Sequence, residues 1–423
     1  MRILIIGGGG REHVLAWALN RREKHELHAV PGNAGIEQVA TCHPVDAEKV
    51  EEVAHLAEAL RVELAVVGPE DPLCKGLVNR LEEKGIRTFG PREEAAALEG
   101  SKVFAREFMA RHGIPQPRFE VFDDVAAARR YLEKVGSQVV VKADGLAKGK
   151  GVVVCSTREE AGKAIEDALE RRIFGRAGER VLIEERLEGP EVTIKAFSDG
   201  KDVAIMAPSQ DYKRVNDGNK GPNTGGMGCY SPVPAVSPEA LKGIIGGIIE
   251  PTVRGMAEEG RTYKGVLYAG LMLTKRGPMV LEYNCRFGDP ESQVVLPRLQ
   301  TDLSEILLAC VEGRLGEVKE RGVQWDEECA VCVVAASGGY PGEYEKGKPI
   351  EGLDSSLPGG AIAFHAGTAR RGGVLVTNGG RVLGVTGLGK DFEEARNRAY
   401  AAMERVHFEG MHYRRDIARF GGG

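Results

Sequence analysis

Residues 139–154 read "VVVKADGLAKGKGVVV", and the whole fold turns on what this stretch is. Two β-rich runs flank a loop of glycines and lysines, the composition of a phosphate-binding loop. The spacing is not that of the usual one. Gly145-Leu-Ala-Lys-Gly149-Lys150 is one residue short of GxxxxGK[ST], and Gly151 stands where the Mg²⁺-binding hydroxyl belongs. The flanks differ as well. A P-loop joins a strand to a helix, whereas Val152-Val153-Val154 reads as a second strand. The stretch therefore predicts strand–loop–strand. Lys142 closes the first strand, where a lysine can reach phosphate oxygens as a point charge. Lys148 and Lys150 sit in the loop, whose glycine backbone can close over a triphosphate. The alternative is a solvated basic hairpin tip.

N-terminal to it, roughly the first hundred residues alternate strand and helix. "RILIIG", "ELHAV", "VELAVVG" and "IRTFG" are strands separated by single amphipathic helices, which predicts a doubly wound parallel sheet. Each strand ends in a turn-forming cluster: Gly7–Gly10, Pro31-Gly32-Asn33, Gly68-Pro69-Glu70, Gly90-Pro91. Ligands of such sheets bind beyond the carboxyl ends of the strands. Gly9, Asn33 and Glu70 are therefore candidate substrate contacts. A dinucleotide is disfavoured, because Glu12 replaces the third fingerprint glycine and no acid follows the second strand. Backbone N–H groups at a helix start still suit an anion such as a sugar phosphate.

A helix over "SKVFAREFMARHG" and two prolines in "IPQPRFE" follow. Residues from about 122 to 190 read as a small α+β lid. The middle third is antiparallel in style, and "GVLYAGLMLTKRGPMVLEYN" is a hairpin. After Trp325 come short strands and one late helix. The expected organisation is α/β and α+β multidomain: an N-terminal doubly wound domain (1–101), a central domain with the lid (102–325), and a C-terminal mixed β domain (326–423).

Three further stretches carry chemistry. In "VLIEERLEGPEVTI" (181–194) a buried strand runs into Glu184, Glu185 and Leu187, then Glu191. Extended backbone can pair with the edges of adenine, and a carboxylate just beyond can take ribose hydroxyls. In "LEYNCRFGDPESQ" (281–293), Glu282, Asn284 and Arg286 share one strand face. Carboxylate plus amide oxygen is hard-ligand chemistry suited to Mg²⁺ on phosphates, and an arginine beside them suits a developing acyl phosphate. The segment "QDYKRVNDGNKGPNTGGMGCYSP" (210–232) reads as a long irregular flap that contacts substrate, with Asp211 and Lys213 as candidates for the small substrate.

Composition excludes other classes. With 57 Lys+Arg against 62 Asp+Glu the net charge is −5, which gives no footprint for nucleic acid or an anionic membrane. No apolar run reaches a membrane span, and "MRILIIGGGG" is a buried strand rather than a signal peptide, so a cytoplasmic protein with its eight cysteines reduced is expected. Cys329 and Cys332 lie three apart on a strand and point to opposite faces, so they cannot share a metal. His25 and His28 are expected at the surface, and His365 in packing.

Taken together, these residues resemble the ATP-grasp superfamily: a lysine after the first domain, a strand–glycine loop–strand lid with a second lysine, an adenine hinge, then a Glu-x-Asn strand. More closely, the chain resembles the phosphoribosylamine–glycine ligase family. The resemblance runs from "GGGGREH" through "PGNAG", "GPEDPL", "LEGSKVFAREFM", "VVKADGLAKGKGV", "GPNTGGMG", "LYAGLMLT" and "LEYNCRFGDPESQ" to "HYRRDI". It implies ATP as co-substrate with Mg²⁺, or Mn²⁺ in its place, and glycine and 5-phosphoribosylamine as partners of an expected monomer. By resemblance, Lys102 and Lys142 contact ATP phosphates. Glu184, Glu185 and Leu187 form the adenine hinge, and Glu191 takes the ribose. Glu282 and Asn284 hold the metal, and Arg286 faces the acyl phosphate. One departure stands out: "LYAGLML" lacks the acid that many ATP-grasp enzymes supply from this strand. Another ATP-grasp ligase or carboxylase of purine metabolism is the alternative, followed by a regulatory protein that binds nucleotide without chemistry.

Overall fold

In the N-terminal hundred residues of the computed structural model, which describes residues 1–147, 151–353 and 356–420, the expected alternation gives a five-stranded parallel sheet. Its strands are β1 (Arg2–Gly7), β2 (Glu26–Pro31), β3 (Thr41–Cys42), β4 (Leu64–Val67) and β5 (Arg87–Phe89), in the order β3-β2-β1-β4-β5. Ile3, Leu4, Ile5 and Ile6 are all fully buried because helices cover both faces, which is why β1 is apolar without alternation. The chain leaves β1 in one direction and returns through β4 on its other side. The crevice at this reversal is lined by Gly7–Gly10 and Gly68–Glu70.

The lid contains β6 (Phe119–Phe122), β7 (Val139–Ala143), β8 (Val152–Cys155) and β9 (Val181–Glu185), antiparallel in the order β6-β9-β7-β8. The stretch 139–154 is thus a strand pair, registered from Val139↔Cys155 to Lys142↔Val152. Residues 148–150, with the candidate Lys148, lie outside the described residues. Two helices, Val125–Val135 and Arg158–Leu169, are capped by Asp124 and Thr157 and pack on a core of the lid's own, including Leu132, Val141, Ile165 and Ile183.

Beyond the lid run β10 (Glu191–Asp199) and β11 (Val203–Ile205), then four short strands: β12 (Gln210–Asp211), β13 (Arg214–Asn216), β14 (Lys220–Asn223) and β15 (Gly228–Ser231). The expected hairpin follows as β16 (Lys264–Thr274) and β17 (Gly277–Asn284), completing the antiparallel sheet β11-β10-β16-β17. Its register slips by one residue: Gly270 faces Glu282 but Leu271 faces Val280, so Leu281 forms a bulge.

The remaining strands are β18 (Cys329–Ala336), β19 (Ile362–His365), β20 (Thr368–Arg371), β21 (Val374–Thr377) and β22 (Arg381–Gly389), with the helix Phe392–Met403 packed on β18 and β22. One sheet has the order β12-β15-β18-β22-β19. Segment 210–232 is therefore less irregular than its composition predicts, since its two ends are strands of this sheet and β13–β14 form a ribbon between them. Strands of two to four residues are too short to show alternation. The expectation of surface histidines fails for both: the His25 side chain is turned inward, and His28 is buried in β2 with its ring nitrogen 3.0 Å from His43. A strand covered on both faces leaves no exposed side.

Candidate active site

Lys142 is the last residue but one of β7 and is buried. Its Nζ lies 2.8 Å from Glu184 Oε2 and donates to the Leu281 carbonyl at 2.9 Å. Glu184 is 2% exposed and also takes a two-pronged contact from Arg106, Nε to Oε1 at 2.7 Å and Nη2 to Oε2 at 2.9 Å. Burial pushes the Glu184 carboxyl upward, but Arg106 and Lys142 outweigh it and hold the group below the usual range. Burial lowers Lys142, against the pull of Glu184.

Glu282 and Asn284 on β17 and Arg286 just beyond it are half-buried and alternate with buried Tyr283 and Cys285. The shared face expected from the sequence is present. Burial raises the Glu282 carboxyl, yet Lys213, Lys142, Lys102 and Arg286 together hold it down. Cations from four separate segments thus converge on one carboxylate. Lys102 stands at the start of the helix Lys102–Arg111, its Nζ 3.1 Å from the Gly145 carbonyl at the base of the lid loop. Asp144 anchors that helix start, accepting from Ser101 Oγ at 2.8 Å and the Val103 N–H at 2.9 Å.

Asp211 and Lys213 form an ion pair of 2.9 Å in a cavity whose walls include Glu191, Thr193, Tyr268 and Glu282. Below it, Tyr268 donates to Glu291 at 2.6 Å, and the fully buried Lys195 donates to Ser209. Arg286 links this region to the parallel sheet. Its Nε is 3.0 Å from Glu70, its Nη2 is 3.1 Å from Glu99, and Nη2 also donates to Asn284 Oδ1 at 3.2 Å.

Other candidates are used differently. The Glu185 side chain points away and pairs with Arg118 and Arg276, and its N–H donates to the Arg118 carbonyl, leaving its carbonyl and the half-buried Leu187 beyond the strand end. The Gly9 N–H is given to Glu12 at 2.6 Å. The Asn33 amide donates to the Gly8 and His365 carbonyls, each at 2.9 Å, and accepts from the N–H groups of Gly35 and Ile36, so it ties loops together. His365 is buried and packs edge-on against His13, as expected of a packing residue.

Sequence reasoning missed Arg106, Glu99 and Arg381. Arg106 leaves one trace, a charged residue three positions from both Val103 and Met109 in a buried helical stripe. Arg381 reaches in from β22, 3.3 Å from Asp289, and donates to the Gly225 carbonyl at 2.7 Å. No motif around it signalled this.

Among the described residues, no group of three or more His, Cys, Asp or Glu could by itself hold a metal ion. The donor set fits Mg²⁺ nonetheless. That ion takes one or two protein oxygens and completes its shell with substrate phosphates and water. Glu282 Oε and Asn284 Oδ1 are such oxygens.

Comparison with known proteins gives matches along almost the whole chain. Models of the phosphoribosylglycinamide synthetase N domain, ATP-grasp (A) domain and C domain match residues 1–99, 100–292 and 330–420. The chain is 46% identical over 419 residues to the phosphoribosylamine–glycine ligase of Caldanaerobacter subterraneus, covering 99% of both chains. It is 47% identical over 421 residues to that of Vibrio cholerae, covering 99% of this chain and 97% of the relative. The crystal structure of the phosphoribosylamine–glycine ligase of Thermotoga maritima superposes with a TM-score of 0.84 at 39% identity, over 98% of this chain and 100% of that one. The biotin carboxylase domain of Hydrogenobacter thermophilus 2-oxoglutarate carboxylase, solved with MgADP and bicarbonate, shares the fold with a TM-score of 0.76 at 18% identity, over 97% of this chain and 91% of that one. With full-length kinship on both sequence and structure, this chain belongs to the phosphoribosylamine–glycine ligases, the ATP-dependent ATP-grasp ligases of purine biosynthesis.

Proposed function

We propose that the cleft joins glycine to 5-phosphoribosylamine through a glycyl phosphate. A glycine carboxylate oxygen attacks the γ-phosphorus of ATP, and the bond to the β-γ bridging oxygen breaks to release ADP. The ribosylamine nitrogen then attacks the acyl carbon, phosphate leaves with the C–O electron pair, and the nitrogen gives up a proton. Neither step needs a strong base. Both need charge neutralisation and alignment, which a site of Lys, Arg and metal supplies.

In this reading Lys102 and Lys142 hold the ATP phosphates, with Lys148 as a further phosphate contact. The Glu185 carbonyl and Leu187 backbone meet adenine, with Glu184 behind them on Lys142, and Glu191 takes ribose hydroxyls. Glu282 and Asn284 hold Mg²⁺, or Mn²⁺ in its place, which when bound supplies charge neutralisation at the phosphates. Arg286 stabilises the acyl phosphate. Lys213 pairs with the glycine carboxylate and Asp211 with its ammonium. Gly9, Asn33 and Glu70 shape the rim for phosphoribosylamine, Asn33 by fixing its loops. The reading includes a monomer working in the cytoplasm, and no helix among the described residues is long and apolar enough to cross a membrane.

The observation that carries the reading is one cavity lined by Glu191, Asp211, Lys213 and Glu282, with Lys142 held on the Leu281 carbonyl next to Glu282. The test is phosphate release from ATP and Mg²⁺, with glycine and freshly generated phosphoribosylamine supplied singly and together. Release should need both substrates. In Lys142→Met and Glu282→Ala, kcat/KM should fall by about tenfold to a hundredfold or more, the loss of one charge-assisted contact made to the transferring group. Release that ignores glycine and responds to bicarbonate would move the assignment to a carboxylase.

A further inference from the structure

We propose that Arg106, which touches no substrate, is the positioning residue that aims Lys142 and Glu282 at ATP and its metal; this rests on the roles given to those two residues above. Arg106 is 2% exposed and lies on the helix Lys102–Arg111, between the lid and the central sheet. Its fork makes four contacts at once: two to the Glu184 carboxylate, one from Nη1 to the Val280 carbonyl at 2.8 Å, and one from Nη2 to the Leu281 carbonyl at 2.8 Å.

Two of these acceptors are shared. Glu184 Oε2 and the Leu281 carbonyl each bind both Arg106 Nη2 and Lys142 Nζ. Two of the three N–H bonds of Lys142 are thereby fixed, and one remains for a phosphate oxygen. Without the fork, Glu184 would be a buried carboxylate with a single partner, free to swing and take the remaining N–H.

The bulge adds the second half. Consecutive carbonyls of a regular strand point to opposite sides. Those of Val280 and Leu281 reach the same guanidinium because the register slips there. Glu282 follows at once. Arg106 thus pins the backbone immediately before the metal-binding carboxylate, and one planar group sets the spacing between lysine and carboxylate. A lysine at this position would bring a point charge and could not span the four acceptors.

The test is equilibrium ATP binding by calorimetry at fixed Mg²⁺, with a separate Mg²⁺ titration. The proteins are wild type, Arg106→Lys, Lys142→Met and the double variant. Arg106→Lys is expected to weaken ATP by at least about tenfold, and to raise the Mg²⁺ needed for half-saturation several-fold, with the KM for glycine within about twofold. In the Lys142→Met background the same change should cost less than about threefold, because the two residues act as a unit. The proposal is overturned if Arg106→Lys binds ATP within about twofold of wild type, or loses the same factor with and without Lys142. Should Arg106→Lys fail to fold, the isosteric Glu184→Gln takes its place with the same expected loss and the same non-additivity, and normal ATP affinity there overturns the proposal. Normal ATP affinity in Lys142→Met would sink the phosphate role of Lys142 itself. A normal Lys142→Met loss with an additive Arg106→Lys loss would sink only the positioning.

Discussion

Arg286 sits between two carboxylates, and one guanidinium cannot satisfy both equally. Glu70 is drawn down to about 2, where burial is outweighed by Arg286 and Arg11. Glu99 is pushed up to about 7, chiefly by burial and further by Glu70, despite Arg286. The trio is neutral when Glu99 holds a proton, so the deeper acid gives way. A raised folded pKa means that Glu99 favours the folded state fully below its ordinary 4.5 and that this contribution is lost as pH rises through about 7. Glu70 acts oppositely and only in acid, its contribution being lost as pH falls through about 2. Glu99→Gln mimics the protonated acid. Relative to wild type it should gain stability between about pH 4.5 and pH 7, by up to on the order of 3 kcal/mol. Urea unfolding at about pH 5 and about pH 8 measures this, and a difference that does not change with pH would refute it. Arg286 was legible in the sequence because a strand periodicity placed it beside Glu282 and Asn284. Glu99 was not, since an acid near a helix end reads as solvated until the partner from another segment is known. Arg106 was hidden for the same reason.

At the scale of elements, the lid hairpin and the β16–β17 hairpin were readable because alternation and turn residues act within a few positions. The joint that hangs the lid on the core was not, because it depends on contact between distant segments. The chain passes from β9 to β10 through Gly189, whose φ is +148°. A Cβ there would lie 2.2 Å from the Leu273 carbonyl oxygen of β16, and the next residue's carbonyl accepts from the Leu273 N–H at 2.9 Å. The turn is therefore pressed against the central sheet, with Glu185 and Leu187 just before it and Glu191 just after. Gly189→Ala must move that backbone and should cost about 1–3 kcal/mol. The lid has its own hydrophobic cluster, so it should stay folded but sit loosely. Limited proteolysis should then release lid fragments earlier than in wild type, and ATP should bind more weakly. Unchanged cleavage together with unchanged ATP affinity would show that the joint does not set the lid's position.

Across the whole molecule, the last residues govern a segment two hundred positions earlier. The sequence suggested a C-terminal unit after Trp325, and the strands there do form a sheet, but β15 and β12 complete it. The flap is thereby built on C-terminal ground. Arg414 in "HYRRDI" is fully buried and pairs with Asp416 through Nε and Nη2, both at 2.7 Å. Its Nη1 donates to the Arg214 carbonyl and to Asn219 Oδ1, both at 3.0 Å, and its guanidinium lies 4.7 Å from the Tyr212 ring centroid. Asp416 in turn accepts from the Gly218 N–H at 2.8 Å. Arg414 and Asp416 thus hold the β13–β14 ribbon at three points, with His412 on the Val215 carbonyl and the Arg415 N–H on Asp217 beside them, and Lys213 enters the ribbon directly. Arg414→Lys keeps the charge and loses the fork, so the ribbon should loosen. If Asp211 and Lys213 bind glycine, the KM for glycine should rise on the order of tenfold. ATP affinity should move far less, because among the described residues Lys142, Glu184 and Arg106 have their bonds outside the tail and only Lys213 bears on Glu282. Kinetics with glycine varied, alongside calorimetry with ATP, separates the two effects. A parallel loss of ATP affinity would mean that the tail supports the whole cleft. A selective glycine defect would make the C-terminal sheet the floor on which the substrate flap is built.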